Sequence, residues 1–520
     1  MATNASDGRA PVEVPGKLKG AVALTWILAV VTGVDYFDNA TFSFFAGFIA
    51  GGVHASADQL VWASTSYAVA AVMAILQQQW WTDRLGHRRY FTLFYLIYAV
   101  AAVGAGFSES ALELAVMRAV QGYCLGPIMG ASRILMQMKF AGPSRSNATR
   151  AFLTMILLGT ACAPLFGGWL ITHFGWRALF LVLAPLGLGC ALLAWLGLPD
   201  SGSLEPHERG RASLWPYVAF AFAQGALQIT MQQARHEVFS ASPWLLGLAA
   251  AGVLALLAFV WHQWDHPQPY LRLHALRERG FRTGIVLYIF YFYLATGFSY
   301  LLPRLLEQGL GISPQQSGQM IGFTSLISIV MLFAYFRWAP RVTRKKFIIV
   351  PGFALAAAAA LWAAHLPAGV GLAQLYGVLL LRSLLLFFIA LPVANLTFRP
   401  FEIDEFTHGY RLKNIVRQLT ISFSTSTVIV LEQHRFSLHA KRLAEAASPL
   451  NSAFAAAVRG VIRLFQGAGD TPTPPSDALA EIGAAVARQA MFLASRDGFL
   501  FLAGVALVGG VFAVWQKAID

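Results

Sequence analysis

The stretch Trp81-Thr82-Asp83-Arg84-Leu85-Gly86-His87-Arg88-Arg89 decides the fold of this chain. It separates two apolar runs, residues 59–80 and 90–107, each about long enough to cross a hydrocarbon core of roughly 30 Å. A turn this rich in arginine is typical of the cytoplasmic side of a membrane, where positive charge is retained. The stretch therefore predicts two membrane helices joined on the cytoplasmic side.

A second copy of this turn lies far downstream, as Trp338-Ala339-Pro340-Arg341-Val342-Thr343-Arg344-Lys345-Lys346. Both copies read Trp-x-x-Arg-x-x-x-basic-basic and stand between two apolar runs. A loop repeated at matching points of two halves is typical of transporters built from parallel repeats. Coincidence is the alternative, because basic turns are common on the inner side of membrane proteins.

The composition indicates a protein that crosses the membrane many times. Of the 520 residues, 57% are hydrophobic and 12% are charged, against about 25% charged in an average soluble domain. The net charge of +13 comes mostly from short turns between apolar runs. Membrane orientation and anionic lipid head groups explain this pattern better than nucleic acid does. We therefore expect a lipid environment and no nucleic-acid partner.

The apolar runs predict fourteen membrane helices, with both termini in the cytoplasm. Basic residues concentrate in every second turn, as the retention of positive charge on the inner side requires. The runs fall at about 20–50, 59–80, 90–107, 111–137, 151–174, 177–198, 214–234, 243–264, 281–303, 315–337, 347–365, 370–398, 409–432 and 491–515.

Polar breaks divide this all-helical membrane chain into three predicted parts. Residues 1–199 would form one six-helix bundle and residues 267–520 a second, joined by a linker with two extra membrane helices at 200–266. The second bundle contains one long outer loop, 433–489. Within that loop Phe454, Val458, Ile462 and Phe465 recur at helical spacing, which predicts an amphipathic helix that ends before Pro472. It could be a lid on the outer surface or a docking surface for a partner.

Charged residues inside the spans are costly and point to function. Asp35 and Asp38 share one face of the first helix. Asp38 lies eighteen residues beyond Gly20, about 27 Å along the helix, and Arg118 lies about 10 Å from the outer end of the fourth helix. The matching depth predicts a buried ion pair. If that pair opened, the desolvated carboxylate would favour protonation, which predicts proton coupling. A static structural pair is the alternative.

Three further groups of residues could shape a transport path. The fifth span contains Gly159, Pro164, Gly167 and Gly168, which predict a kinked helix packed closely on a neighbour. Arg382 is an intramembrane charge with no acid in its own span. Aromatic residues cluster in the first and ninth spans and would line a substrate cavity or face lipid; the cavity candidates are Phe42, Phe45, Tyr288 and Tyr291.

The sequence lacks signs of catalysis or cofactor chemistry. Cys124, Cys162 and Cys190 have no paired spacing, so we expect neither disulfides nor a metal site. No phosphate-binding loop of the Gly-x-x-x-x-Gly-Lys-Ser/Thr type is present, which argues against ATP-driven pumping within this chain. We expect no cofactor and no enzymatic activity.

Taken together, these motifs resemble the major facilitator superfamily, and within it the fourteen-span drug:proton antiporters of the EmrB/QacA type. The residues Asp83, Arg84, Gly86, Arg88 and Arg89 resemble the loop between the second and third helices that defines the superfamily. The resemblance extends over the whole chain. It includes Arg118 with Gln121 and Gly122 in the fourth helix, Gly159 to Gly168 in the fifth, and Asp38-Asn39 in the first.

The resemblance implies two six-helix bundles, two inserted linker helices and export of amphipathic compounds driven by proton entry. It assigns proton coupling to Asp35, Asp38, Arg118 and Gln121, and closure of the cytoplasmic face to the Asp83–Arg89 loop. Some family members work with a periplasmic adaptor and an outer-membrane channel. The sequence departs from the pattern at Gln79 and Ala163, where glycine is expected, and at Leu183, where asparagine is expected.

The sequence therefore predicts a proton-driven antiporter of the cytoplasmic (inner) membrane that exports drugs or toxic compounds by alternating access. One alternative is a dedicated exporter of a single metabolite or siderophore, which the same motifs allow. Another is a scaffold or sensor that uses the same fold without transporting a solute.

Overall fold

The computed structural model describes residues 18–200, 214–233, 243–264, 266, 269–367, 369–398, 401, 403–446, 452–468 and 475–517. All regular secondary structure in these ranges is helical. The helices of the first half are α1 Leu18–Phe44, α2 Ala46–Gly52, α3 Ala57–Gly106, α4 Ala111–Leu125, α5 Ile128–Lys139, α6 Gly142–Phe174, α7 Arg177–Leu181, α8 Leu183–Gly197, α9 Leu214–Gln233 and α10 Pro243–Trp264.

The described residues of the second half contain eight further α-helices. They are α11 Arg279–Arg304, α12 Pro314–Trp338, α13 Lys346–Ala364, α14 Leu372–Ser383, α15 Leu391–Phe398, α16 Ile403–Ala446, α17 Ser452–Ala468 and α18 Pro475–Trp515. A 3₁₀ turn at Leu273–Arg277 precedes α11, and another at Ala339–Arg341 follows α12. Two π-helical turns, Leu305–Gly309 and Leu386–Ala390, follow α11 and precede α15.

Helices lie on all fourteen predicted apolar runs. Ten segments in the described ranges are long and apolar enough to cross a membrane by length and composition. One of them, Gln59–Gly106, covers two predicted spans because α3 continues through the turn that contains Gly86. The fourth span consists of α4 and α5, which are separated at Gly126 and Pro127.

Local sequence signals account for several helix boundaries. Ser56 and Gln59 form a capping box at the start of α3, and Ser313 caps α12 just before Pro314. Gly86 has φ 72° and ψ 161°, a backbone conformation that a residue with a Cβ atom rarely adopts. That single residue turns the chain between the second and third spans.

The structure describes three helical segments in the predicted outer loop at 433–489, namely the end of α16, helix α17 and the start of α18. Helix α16 continues past Glu432 to Ala446, because residues 433–446 contain no proline or glycine and are rich in good helix formers. The predicted amphipathic helix is α17. Helix α18 then begins at Pro475. Proline lacks a backbone N–H, but it is tolerated in the first turn of a helix because N–H groups there have no hydrogen-bond partner within the helix. Pro472 and Pro474 lie outside the described residues.

Two large apolar cores organise the helices. One contains buried residues from α1 to α8, including Leu28, Tyr95 and Phe180, together with Phe406 and Tyr410 of α16. The other contains buried residues from α11 to α18, including Phe298 and Phe353. Helices α6 and α12 pack against each other between these cores. The exact domain limits at 199 and 266 stay a prediction.

Candidate functional site

A buried ion pair joins α1 and α4. Arg118 Nη1 lies 2.8 Å from Asp38 Oδ2 and 3.0 Å from Asp38 Oδ1, and both residues are 1% exposed. Arg118 Nη1 also donates to Gln121 Oε1 at 3.0 Å, and Tyr98 donates its hydroxyl to Asp38 Oδ1 at 3.3 Å. The structure therefore brings together three of the four residues that the sequence assigned to proton coupling.

Aromatic rings enclose the arginine of this pair. The guanidinium of Arg118 lies 4.4 Å from the ring centroid of Phe42 and 4.3 Å from that of Tyr67. Such contacts stabilise a desolvated cation by about 2 kcal/mol or more. The arginine consequently has favourable contacts even when Asp38 is neutral.

Asp35, the fourth of these residues, lies in a neighbouring hydrogen-bonded group. Its Oδ1 accepts hydrogen bonds from Asn39 Nδ2 at 2.9 Å and from the Tyr67 hydroxyl at 3.1 Å. The positive charge of Arg417 on α16 also acts on this carboxylate. Because Tyr67 contacts both Asp35 and Arg118, the two acidic positions share a common neighbour.

The Asp83–Arg89 loop and the nearby end of α16 lie on one face of the molecule, which we call the basic face. Arg84 stacks over Trp80 at 3.9 Å, and Arg88 stacks over Trp195 at 4.4 Å. Asp83 is partly buried, whereas Arg89 is exposed. Arg411 of α16 donates from Nη1 to Gln79 Oε1 at 2.8 Å, so the basic face carries a direct contact between the two halves.

The glycines of α6 meet neighbouring helices at very short range. A Cβ atom on Gly159 would lie 2.3 Å from the carbonyl oxygen of Gly33 in α1, and one on Gly167 would lie 2.1 Å from the ring of Phe45. Gly168 faces the first turn of α12, and Pro164 lies inside α6. Close packing thus explains why these positions carry no side chain.

A cavity lies between the two halves. It is lined by residues of α1, α6, α11, α12 and α14, among them Ser43, Phe44, Thr160, Pro164, Ser325 and Arg382. Arg382 donates from Nη2 to Ser299 Oγ at 2.6 Å. Of the predicted cavity residues, Arg382 is in this lining.

The other four predicted cavity residues lie elsewhere. Phe42 and Phe45 are buried in the first core, where their rings pack within the half that contains them. Tyr288 is buried and stacks on Phe292, and Tyr291 is partly buried nearby. The ring centroid of Tyr288 lies 5.5 Å from Nζ of Lys413 on α16.

Sequence reasoning missed the charged residues of α16. Arg411 and Lys413 are 4% exposed, Arg417 is 6% exposed and Glu432 is 1% exposed. Glu432 Oε2 lies 2.6 Å from Arg304 Nε and accepts a hydrogen bond from Tyr300 at 3.0 Å. The test for charge inside a span, applied to residues 409–432 as it was to the first span, would have identified Arg417, whereas Arg411 and Lys413 lie too close to the start of that run.

In the described part of the chain, no group of three or more His, Cys, Asp or Glu side chains could hold a metal ion. The molecule instead contains a bundle of apolar helices in two halves, a cavity between them and charged pairs inside the predicted spans. They define the class of small-molecule membrane transporters.

Comparison with known proteins identifies the family. The sequence profile of the Major Facilitator Superfamily matches residues 28–425. The chain therefore belongs to this superfamily, and it is a transporter and not an enzyme. Its fold is the major facilitator fold.

Similar curated proteins include bacterial proteins named for multidrug export and for fatty acid resistance. The chain is 22% identical over 494 residues to the multidrug export protein EmrB of Escherichia coli K12, covering 94% of each chain. It is 22% identical over 498 residues to the fatty acid resistance protein FarB of Neisseria gonorrhoeae, covering 94% of this chain and 95% of the other.

Solved structures share the fold at low sequence identity. A bacterial homologue of the human lysosomal transporter Spinster, inward-facing and occupied, aligns with a TM-score of 0.61 and 14% identity over 96% of this chain and 97% of that one. A peptide transporter in complex with sulfate aligns with a TM-score of 0.60 and 14% identity, covering 97% and 96% of the two chains.

Proposed function

We propose that this chain is a proton-coupled antiporter that exports amphipathic drugs or toxic compounds across the cytoplasmic membrane by alternating access. The export of drugs is supported by the relatives named as multidrug export proteins. The direction of the helices follows the basic turns, with both termini in the cytoplasm. A periplasmic adaptor and an outer-membrane channel stay predicted partners.

The observation that carries the proposal is the buried pair of Asp38 and Arg118. A proton that enters from the outer side would neutralise Asp38 and remove its attraction to Arg118. Arg118 would keep Gln121 and the rings of Phe42 and Tyr67 as partners. Release of that proton to the cytoplasm would restore the ion pair. A buried carboxylate is suited to this exchange, because a nearby positive charge favours its ionised form and the loss of that charge favours its neutral form.

Contacts on the basic face would hold the cytoplasmic side closed while the outer side is open. Asp83, Arg84, Gly86, Arg88 and Arg89 would form this closure, as the loop does in the family that it resembles. The contact Gln79–Arg411 joins the halves on this face. A second contact between the halves lies deeper, beside Asp35, where Arg417 Nη1 donates to the Tyr36 hydroxyl at 2.9 Å. Opening would require both to break.

The first prediction tests proton coupling with Asp38→Asn. The full chain is reconstituted into vesicles with an acidic interior, and uptake of two permanently charged probes is measured, 2-naphthalenesulfonate and (2-naphthylmethyl)trimethylammonium. Because neither probe changes charge with pH, a pH gradient cannot redistribute them passively. We expect uphill uptake of at least one probe by the unmodified chain. Asp38→Asn should reduce it to the level of vesicles without protein, because an amide cannot exchange the proton.

Glu113→Gln is the matched control, since Glu113 is an exposed carboxylate on α4. It should retain uphill uptake. Exchange of the transported probe at equal pH should persist in Asp38→Asn, which separates lost coupling from lost folding. Uphill uptake by Asp38→Asn would refute the role of Asp38. The absence of flux for both probes in the unmodified chain would favour a scaffold, a sensor or a narrow exporter.

A further inference from the structure

Helix α16 places buried positive charge at the interface between the two halves. Lys413 and Arg417 are 4% and 6% exposed. Among the described residues, no carboxylate forms an ion pair with either one. Burial of a cation without an opposite charge is costly, so a protein that retains two such groups at one place has a use for them.

The surroundings of Arg417 leave part of its guanidinium without a partner. Nη1 donates to Tyr36, but the buried Nε atom has no hydrogen-bond partner in the described part of the chain. Asp35 interacts with Arg417 only at longer range, and its Oδ1 is already engaged by Asn39 and Tyr67. Arg417 therefore retains hydrogen-bonding capacity for an anionic group.

Lys413 lies among aromatic rings. Its Nζ is 4.5 Å from the ring centroid of Tyr410, 5.5 Å from that of Tyr288 and 5.9 Å from that of Phe292. Its one hydrogen bond in the described ranges goes to Asn414 Oδ1 at 3.1 Å. The site thus combines a cation with flat apolar surfaces, which suits a ligand that has both a charged and an apolar part.

Two further positive charges lie at the interface, on Arg133 and Arg382. Arg133 of α5 donates to Thr149 at 2.8 Å, and Arg382 lies in the cavity lining, about 15 Å along its span from Leu372. Neither forms an ion pair with a described carboxylate. Of the two acids in α1, Asp38 is already matched by Arg118. The path between the halves is therefore positive overall, which favours anions and repels cations.

We propose that the substrate is an amphipathic organic anion, with its anionic group bound between Lys413 and Arg417 and its apolar part against Tyr288, Phe292 and Tyr410. This inference rests on the proposed transport function and specifies its substrate class. The relative named for fatty acid resistance is compatible with an acidic substrate. The proposal itself stands on the buried cations and their aromatic neighbours.

Equilibrium binding tests the proposal without requiring transport. The full chain in lipid nanodiscs is titrated with 2-naphthalenesulfonate, (2-naphthylmethyl)trimethylammonium and 2-naphthylmethanol, which share one ring system and differ in charge. We expect the anion to bind at least about tenfold more tightly than the cation. Lys413→Met and Arg417→Gln should each weaken binding of the anion by about tenfold or more and leave the neutral probe little changed. Lys413→Arg, which keeps the charge, should retain binding.

Lys441→Met is the matched control, because Lys441 is an exposed residue of the same helix. It should bind all three probes as the unmodified chain does. The proposal is overturned if the cation binds as tightly as the anion, if no probe binds, or if Lys413→Met and Arg417→Gln leave the anion unaffected. Equal weakening of all three probes would also overturn it, since that indicates lost folding or a role in coupling. Uphill uptake of the cation alone would refute this inference while sustaining proton-coupled antiport.

Discussion

At the scale of single residues, the attraction between Asp38 and Arg118 is about as large as the cost of removing both groups from water. Both groups lose their hydration, and the attraction between buried charges often no more than offsets that loss. The pair therefore adds little net stability, yet removal of one partner leaves the other charge uncompensated. A charged pair of this kind can respond to a single proton. Protonation of the carboxylate removes the attraction between the two charges and leaves the packing of the side chains almost unchanged.

The second prediction follows from this balance and concerns Arg118→Leu. Loss of the guanidinium leaves the Asp38 carboxylate buried without a counter-ion, which should cost about 3–5 kcal/mol of stability at neutral pH. The double variant Asp38→Asn with Arg118→Leu should be more stable than Arg118→Leu alone, because its site contains no charge. Thermal unfolding of the three proteins in the same detergent measures both effects. A double variant no more stable than Arg118→Leu would contradict the interpretation.

The sequence predicted this pair but not the cations of α16, for a physical reason. Asp38 and Arg118 lie deep inside unambiguous apolar runs. Their depth in the membrane could therefore be calculated from the helical rise per residue. Arg411 and Lys413 stand near the start of a run that follows a basic turn, where the sequence cannot distinguish a turn from a helix end. Their burial depends on how α16 packs against α3 and α5, which is a tertiary property.

At the scale of helices, the packing of α6 on α1 depends on backbone contact at Gly159. Ordinary core side chains can move aside for an added methyl group. Here the nearest atom is the carbonyl oxygen of Gly33, 2.3 Å from the position of a Cβ atom, and it cannot move without its helix. Pro164 lies further along α6. Contact between backbones thus explains the close packing that this motif predicted, and the kink at Pro164 stays a prediction.

The third prediction compares Gly159→Ala with Gly189→Ala. Gly159→Ala must separate α1 from α6 and should destabilise the protein by about 1–3 kcal/mol. Gly189 of α8 is exposed and has no atom within 4 Å of the position of a Cβ atom. Gly189→Ala should therefore stabilise the helix by up to about 1 kcal/mol, because alanine favours helix more than glycine does. Relative to the unmodified chain, the unfolding temperature should fall in Gly159→Ala and rise in Gly189→Ala. A shift of the same size and sign in both variants would refute the packing argument.

The elements themselves were predicted better than their ends. The apolar runs predicted helices at fourteen positions, and helices lie on all of them; ten segments of the described ranges are long and apolar enough to cross a membrane. The region 433–489 was interpreted as a loop because its charge excludes it from the hydrocarbon core. Helix α16 nevertheless continues through residues such as Lys441 and Glu445. Helical backbone bonds do not require an apolar environment, so a membrane span can extend into water without a break.

At the scale of the whole molecule, the two halves pack together through α6 and α12, and a polar contact joins them on the basic face. Gln79 accepts a hydrogen bond from Arg411. The superfamily pattern has glycine at this position, which has no side chain to make that bond. This departure was visible in the sequence, but its consequence was not, because the partner lies 332 residues away. We infer that Gln79 adjusts the equilibrium between the closed and open states of the basic face.

The last prediction tests this inference with Gln79→Ala and Gln79→Glu. Alanine removes the hydrogen bond, worth about 1 kcal/mol at an exposed position, and should shift the population towards the open basic face by about fivefold. Glutamate adds an opposite charge to Arg411 and should shift the population the other way. Spin labels at Ser144→Cys and Glu405→Cys, in a background without Cys124, Cys162 and Cys190, report the distance between the halves. Both Ser144 and Glu405 are exposed and can carry the labels. The fraction of long distances should rise in Gln79→Ala and fall in Gln79→Glu. Identical distance distributions in both variants would show that the Gln79 contact has no part in closing this face.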